Sequence, residues 1–193
     1  MPIAFYSLNI RRSREAFEIL KNDYSKESIF AIQDISTVQK MPHGIRILRE
    51  AKSCTAIAFK GRHDAMLVPE LSNLHTTTVV INKGDFSFLA VSIYMLKDAP
   101  ISRNLDMIAK IMKYSSDNNL EVLIGSDTNS HAQLWGYDRS CRCGSDCEAT
   151  LVSCGLQVVP FVGPTFSSED GRNQSTIEII VHTGALLLSS FEK

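Results

Sequence analysis

Several short apolar runs in this sequence end abruptly in polar side chains. Among the features of the sequence, this repeated pattern restricts the possible folds most strongly. In "LEVLIGSDTNSHAQLWG" at 120–136, an apolar run leads through Gly125 to Asp127 and Asn129. The polar residues that end or follow the other runs are Asn9, Gln33, Asp34 and Tyr94. Open α/β sheets commonly build their sites at the carboxyl ends of several strands. The pattern therefore predicts a sheet-based domain with a polar site at its strand ends.

Apolar and β-branched runs predict most of the strands. The predicted strands are "IAFYSLNI", "SIFAIQD", "CTAIAFK", "LEVLIGSD", the run after Gly155, "TIEIIVHT" and the two runs of "HTTTVVINKGDFSFLAVSIY". The last two runs flank the segment 82–85, which contains Gly84 and is typical of a β-hairpin. Because hairpin-connected strands alternate with helices, a mixed sheet is favoured over a purely parallel one.

Three segments have helical spacing. A first helix is predicted to begin after Ser13, its N-cap, and to bury Ala16, Phe17 and Leu20. Asp98 is the candidate N-cap of the clearest helix, with Pro100 in its first turn. The apolar face of that helix consists of Ile101, Leu105, Ile108, Ile111 and Met112. The run "CEATLVSC" predicts a third helix that ends at Gly155.

The composition indicates one globular domain over residues 1–193. Hydrophobic residues make up 44% and charged residues 21% of a chain long enough to bury a full core. The net charge of −1 provides no general basic field, so nucleic acid would have to bind a local surface. No apolar run reaches the roughly 20 residues of a membrane helix. The first residues do not resemble a secretory signal, and five cysteines fit a reducing compartment. We therefore expect a nuclear or cytoplasmic protein without membrane contact.

Asp127 and Asn129 are the strongest candidates for chemistry. Residues two apart in an extended segment point to the same side. A carboxylate there can orient or deprotonate a water, and an amide can donate to a phosphate oxygen. The alternative is an Asx turn that leaves the sheet, in which both residues serve only the loop conformation. The pair by itself favours neither interpretation.

Motifs in a fixed order across nearly the whole chain resemble the AP-endonuclease-like domain of non-LTR retrotransposons, in the endonuclease/exonuclease/phosphatase superfamily. These motifs are "SLN" at 7–9, "IQD" at 32–34, "VSIY" at 91–94, "GSDTNSHAQLWG" at 125–136, "GPTF" at 163–166 and "STIE" at 175–178. The run from His131 to Gly136 is typical of the retrotransposon branch, with Trp135 expected to be a packing anchor. The resemblance implies an α/β four-layer sandwich, in which two packed mixed β-sheets are flanked by helices. It also implies a hydrolase that nicks DNA for a downstream reverse transcriptase domain.

The resemblance further implies a role for each matching residue. A divalent cation, Mg²⁺ with Mn²⁺ as a substitute, would bind near Asn9 and Asp34. Asp127 and Asn129 would position the attacking water, and Tyr94 would contact the phosphate; Asn9 and Asn129 also belong to the substrate-binding set. The remaining matches are Thr165 on the DNA side of the site, Ser175 in the substrate-binding set and Glu178 in the catalytic set.

Several features depart from the family pattern. Asp34 stands where the family has Glu, and Glu178 stands where it has Asp. The 193 residues contain no Ser-Asp-His segment, whose histidine is catalytic in the family. His182 is not expected to replace it, because four residues of strand place it about 13 Å from Glu178, and His131 matches a position that is not the general base. We therefore expect an incomplete copy of the domain that lacks one or more C-terminal strands, leaves a sheet edge uncovered and has impaired or lost activity.

The cysteines are interpreted as packing residues. The spacing in "CRCGSDCEATLVSC" lacks two paired zinc knuckles, which disfavours structural zinc. Cys147 and Cys154 are seven apart and would share one face of a helix, as small buried hydrophobes do. Cys54 is expected to begin a strand and to lie in the core.

Substrate choice leaves alternatives open. The loop at 36–50 could contact DNA or form a solvated surface with equal justification. Its basic residues are Lys40, Arg46 and Arg49. One alternative function is a phosphoesterase acting on a phospholipid head group or small phosphate ester, which "SHAQLWG" disfavours. The other is a catalytically dead relic or binding module, which the missing histidine and the two altered carboxylates favour.

Overall fold

A computed structural model describes residues 3–16, 27–36, 43–97, 99–160, 165–167 and 174–184. The strands are β1 (Ala4–Asn9), β2 (Ser28–Gln33), β3 (Ile45–Leu48), β4 (Ala56–Lys60), β5 (Asp64–Leu67), β6 (Thr76–Lys83), β7 (Phe86–Tyr94), β8 (Glu121–Asp127), β9 (Gln157–Val158), β10 (Phe166–Ser167), β11 (Gln174–Ser175) and β12 (Glu178–His182). The helices are α1 (Ser102–Asn118), α2 (Arg142–Ser153) and two 3₁₀ turns, Pro69–Leu71 and Gln133–Trp135. Within these ranges, every helix is too short or too polar to cross a bilayer.

The strands form two mixed sheets and a small hairpin. One sheet has four strands in the order β1-β2-β4-β3, and the other has six in the order β5-β6-β7-β8-β12-β9. The pairs β1–β2 and β7–β8 are parallel, and the other pairs are antiparallel. The strands β10 and β11 pair with each other. Because β7 and β8 are parallel, the chain needs the crossover that α1 provides.

The two sheets pack face to face through alternating side chains. Ile29 and Ala31 of β2 lie in the same buried cluster as Phe88 and Ala90 of β7. The intervening residues of β2, such as Phe30, point to the opposite face and join a separate cluster. This period of two is what a strand buried on both faces requires. The last inward positions of the parallel strands β1 and β2 and of β7 and β8 meet at one edge of the sandwich.

Helices cover the outer faces of this sandwich. Apolar residues of α1 and α2, including Ile108, Ile111 and Leu151, share a buried cluster with the outward side chains of β7 and β8. On the four-stranded sheet the chain is helical at 14–16, where Ser13 Oγ accepts the backbone N–H of Ala16 at 3.0 Å. The predicted cap and the predicted α/β sandwich of two mixed sheets with flanking helices are therefore confirmed.

Two sequence expectations need correction, and others lie outside the described residues. The clearest helix begins at Ser102 after an N-cap at Ile101, rather than at Asp98, which lies outside them. Cys54 is half-buried instead of being in the core, because it lies in the segment before β4 rather than in the strand. Its sulfur lies 3.2 Å from Nδ1 of His75. Phe17, Leu20 and Lys40 lie outside the described residues. The expected loss of a C-terminal strand stays a prediction.

Candidate active site at the strand ends

The inward face of the sandwich changes from apolar to polar toward the carboxyl ends of its parallel strands. On β7, the inward residues run from Ala90 in the apolar cluster through Ser92 to Tyr94. On β8, the corresponding positions run from Leu123 through Gly125 to Asp127. Because side chains alternate along a strand, Tyr94 and Asp127 lie on the same inward face of the sheet. They are opposite each other in the β7–β8 register.

Asp127 is the centre of this polar cluster. Its carboxylate is completely buried and accepts a hydrogen bond from Asn9 Nδ2 at 2.5 Å, across the gap between the two sheets. The other carboxylate oxygen accepts the backbone N–H of Asn129 at 3.0 Å. The backbone oxygen of Asp127 accepts the N–H of Met95 at 2.9 Å. These bonds hold the carboxylate in one orientation.

Asn129 holds the loop that leaves β8. It has φ of +45°, in the left-handed region that Asn adopts more readily than most residues. Its side-chain Nδ2 donates to the backbone oxygen of Met95 at 2.8 Å. The Asx-type bond between Asn129 N–H and Asp127 was the alternative interpretation of the sequence. The structure contains that turn, and the same turn fixes the Asp127 carboxylate toward Asn9.

Asp34 lies at the end of β2 and is oriented by the loop after β1. It has φ of +50°, and its carboxylate accepts a hydrogen bond from Arg12 Nε at 3.0 Å. Arg11 and Arg12 also have left-handed backbones, with φ of 47° and 56°. Such conformations cost free energy and are often found at functional sites. The two arginines have no role among the sequence-based predictions, although two adjacent basic residues just after the "SLN" motif were a usable signal.

Glu178 lies on the other side of Asp127. The two residues are paired in the β8–β12 register, so Glu178 faces inward beside Asp127. The hydroxyl of Thr165 accepts the backbone N–H groups of Ile177 and Glu178 at 3.1 and 3.2 Å. Glu178 Oε2 is buried and has no hydrogen-bond partner among the described residues. Thr165 thus lies against Glu178 and supports the start of β12.

Burial and mutual repulsion change the acidity of this cluster. Burial raises the pKa of Asp127, against the hydrogen bonds from Asn9 and the Asn129 backbone, while Asp34 raises it further. Burial also raises the pKa of Glu178, with a further increase from Asp127. The pKa of the Tyr94 hydroxyl is raised by burial and by both Asp34 and Asp127. These couplings place Asp34, Tyr94, Asp127 and Glu178 in one electrostatic environment.

The donor set of the site suits a hard cation. Carboxylate and amide oxygens are the ligands that Mg²⁺ takes, usually one or two carboxylates with waters and substrate phosphate. The Asp34 side chain is 18% exposed, and Asn9 Oδ1 accepts the backbone N–H of Arg11 at 2.9 Å. Within the described part of the chain, no group of three or more His, Cys, Asp or Glu side chains is arranged to hold a metal ion. The residues therefore fit a cation held loosely by Asp34 and Asn9 and completed by water and phosphate.

Other predicted residues lie away from this cluster or are only partly described. Ser175 pairs with Phe166 in the small hairpin, and its side chain is outside the described part. His182 pairs with Leu123, so it lies at the opposite end of β12 from Glu178. His131 is exposed and stacks on the ring of Tyr137 with centroids 4.1 Å apart.

Trp135, Arg46 and Arg49 bind the protein's own backbone. The prediction of a loop over 36–50 was wrong at Ile45–Leu48, which form β3 and include Arg46. Trp135 is buried, and its Nε1 donates to the oxygen of Ser130 at 3.2 Å, as expected for a packing anchor. The guanidinium of Arg46 donates to the oxygens of His63 and Ala65. The guanidinium of Arg49 donates to the oxygens of Ser36 and Ser53. These bonds favour a structural role for Arg46 and Arg49 over direct DNA contact.

The two packed sheets with an acidic cluster at their strand ends define a member of the endonuclease/exonuclease/phosphatase superfamily. Residues 88–192 match the sequence profile of the endonuclease–reverse transcriptase family, which is more than half of the 193 residues. The chain belongs to that family. A search of curated protein sequences gave no match.

Solved structures show the same fold. The chain is similar to the endonuclease domain of TRAS1, a telomere-specific non-LTR retrotransposon, with a TM-score of 0.80 and 22% identity over 95% of this chain and 86% of that one. It is also similar to the AP endonuclease LMAP from Leishmania major, with a TM-score of 0.63 and 9% identity over 94% and 78% of the two chains. The 3′ phosphatase NExo from Neisseria, bound to a product DNA hairpin, gives a TM-score of 0.61 and 13% identity over 95% and 86%.

Proposed function

We propose that this protein is a metal-dependent phosphodiesterase that nicks DNA, in the manner of the endonuclease domains linked to reverse transcriptases. The single observation that carries the proposal is the Asp127 carboxylate, which is held by Asn9 and Asn129 beside Tyr94 and Asp34. The family assignment and the similarity to a retrotransposon endonuclease domain support DNA as the substrate. A downstream reverse transcriptase domain would be its natural partner.

The chain's own residues can divide the work of hydrolysis. Asp127 has its two oxygens fixed by Asn9 and the Asn129 backbone, so it can orient a water molecule toward a phosphorus atom. The Tyr94 hydroxyl can donate a hydrogen bond to a phosphate oxygen, because a tyrosine is protonated at neutral pH and burial raises its pKa further.

Asp34 and Asn9 would hold Mg²⁺ or Mn²⁺. When bound, the cation would neutralise the phosphate and the charge that develops in the transition state. Asp34 is one methylene shorter than the family's glutamate, so a water between Asp34 and the cation would complete the contact.

We expect the 193-residue protein to nick DNA at a low rate. These residues contain no Ser-Asp-His segment, and the inward-facing acid at position 178 lies beside Asp127 without a histidine partner in the described part of the chain. General acid–base catalysis contributes typically 10²–10⁴-fold to a rate. We therefore propose weak nicking rather than none, because the groups that orient the water and the phosphate are present.

A supercoiled-plasmid nicking assay tests this proposal. In Mg²⁺, and again in Mn²⁺, the protein should convert supercoiled to open-circular DNA, and Asp127→Ala should lower the rate at least about 100-fold. Asp85→Ala is the matched control, because Asp85 is exposed in the β6–β7 turn, at the other end of β7 from Tyr94, and should nick like the wild type. Nicking that is equal in the wild type and in Asp127→Ala would refute the proposal.

The same assay separates the two alternatives. A catalytically dead relic or binding module would show no nicking above the Asp127→Ala background and no cation binding in the millimolar range. A phosphoesterase for small substrates would hydrolyse a generic aryl phosphodiester faster than plasmid DNA.

A further inference from the structure

A buried polar contact lies directly beneath the candidate site. Gln33 on β2 is completely buried, and its amide Nε2 is 3.0 Å from Ser92 Oγ on β7 and 3.1 Å from the oxygen of Gly125 on β8. The same nitrogen is 3.4 Å from Ser7 Oγ on β1 and 3.2 Å from the oxygen of Ala31. One side chain therefore contacts strands of both sheets.

The partners determine the orientation of this amide. Two of them are carbonyl oxygens, which only accept, and Ser92 Oγ accepts as well because it donates its proton to the oxygen of Ile32 at 2.8 Å. The NH₂ group must therefore face the six-stranded sheet. Gln33 Oε1 is left buried without a hydrogen-bond partner among the described residues. The contacts of the amide nitrogen, rather than the oxygen, therefore link Gln33 to strands of both sheets.

On β1, β7 and β8, the residue that Gln33 contacts is followed two positions later by a site residue. The pairs are Ser7 and Asn9 on β1, Ser92 and Tyr94 on β7, and Gly125 and Asp127 on β8. Gln33 itself directly precedes Asp34. Residues two apart share a face and are about 6.6 Å apart along a strand. A side chain that joins the strands at this level therefore sets the relative positions of Asn9, Tyr94 and Asp127, which lie two residues further along their strands.

We propose that Gln33 is a positioning residue that holds the four site-bearing strands at the spacing the active site requires. This inference rests on the proposed function, because the residues that Gln33 would position are those of the proposed active site. It explains why an amide, whose nitrogen reaches acceptors in both sheets, occupies this completely buried position. Gly125 supports it, because a Cβ there would lie 2.7 Å from Ser7 Oγ, so the strands approach at this level without an intervening side chain.

Amide hydrogen exchange in the metal-free 193-residue protein, measured by NMR, tests the proposal. Gln33→Met removes the amide and approximately keeps the side-chain length. Thr77→Val is the matched control, because Thr77 is equally buried and its hydroxyl contacts Thr55 and Ser53 instead of the site strands. The reporter amides, whose hydrogen bonds end on Asn9 or Asp127, are Arg11, Met95 and Asn129.

In Gln33→Met, exchange at the reporter amides should accelerate at least tenfold relative to mid-strand amides such as that of Val80. In Thr77→Val the same ratio should stay within about threefold. A uniform acceleration, or none, would overturn the proposal, because a merely structural residue affects all amides through global unfolding. If Gln33→Met does not fold, Ser92→Ala removes one contact, and a selective acceleration of at least about fivefold at Met95, beyond the range allowed for Thr77→Val, is then required.

A nicking experiment separates this proposal from the function on which it builds. If the wild type nicks DNA, Gln33→Met should lower kcat at least tenfold and leave KM within about threefold, because the buried Gln33 side chain cannot itself contact DNA. An unchanged kcat would count against Gln33 as a positioning residue. If the wild type does not nick DNA, the proposed function fails, and the exchange ratios still decide the role of Gln33.

Discussion

Gly125 is the position where a single methyl group should perturb the sandwich most directly. A Cβ built on Gly125 would lie 2.6 Å from Ala31 Cβ, 2.7 Å from Ser7 Oγ and 2.9 Å from Ser7 Cβ. Carbon atoms in good contact are about 3.5–4.0 Å apart, so the overlap with Ala31 is about 1 Å. Ala31 Cβ cannot rotate away, because it is bonded directly to the backbone of β2. Gly125→Ala therefore has to push the two sheets apart.

The expected cost follows from this overlap. Inserting a methyl group into a well-packed core costs about 1–3 kcal/mol, and a rigid neighbour places this case toward the upper end. For a domain of this size, each kcal/mol lowers the Tm by roughly 2–4 °C. Urea unfolding should show a lower midpoint with an unchanged m-value. The separation of the sheets should also weaken the contacts of Gln33 with the six-stranded sheet.

A double-mutant cycle tests the stated cause. Ala31→Gly removes the closest clashing atom, so its destabilising effect should be smaller in the Gly125→Ala background than in the wild type. Ala58→Gly is the matched control, because Ala58 is equally buried in the same sheet but belongs to the cluster on its opposite face. Its effect should add to that of Gly125→Ala within about 0.5 kcal/mol. Additivity for Ala31→Gly as well, or full stability of Gly125→Ala, would refute the steric reasoning.

Two further variants probe the charges of the site. Burial raises the pKa of Glu178, so the folded protein holds this proton more tightly than the unfolded chain does, and stability falls as the pH rises through and above the ordinary pKa of a glutamate, about 4.3. Glu178→Gln, unfolded with urea in EDTA, should therefore be more stable than the wild type at pH 7, with the difference lost below about pH 4; a pH-independent difference would contradict this. Arg12→Ala removes the cation that pairs with Asp34 and should tighten Mn²⁺ binding about fivefold, since a unit charge at about 4 Å in water is worth about 1 kcal/mol. Titration calorimetry measures that change, and weaker binding would contradict it.

The strands and their polar ends could be predicted from sequence because both depend on local patterns. Apolar runs that end at Asn9, Tyr94 and Asp127 identify the strand ends whatever the tertiary arrangement is. The start of α1 was predicted too early because Pro100 is compatible with a first turn but does not require one. The strands β3 and β5 were not predicted, because each is only four residues long, which is too short for a period of two to stand out from a loop.

The amino-acid sequence by itself determined the α/β class, the family and the residue types available at the strand ends, since these follow from periodicity and motif order. Only the tertiary structure decided which polar groups touch. The bond between Asn9 and Asp127 spans 118 positions, and Gln33 meets Gly125 across 92. Contacts between two sheets depend on how the sheets stack and on the absence of a side chain at Gly125. No local pattern encodes that stacking, because it results from the burial of both faces at once.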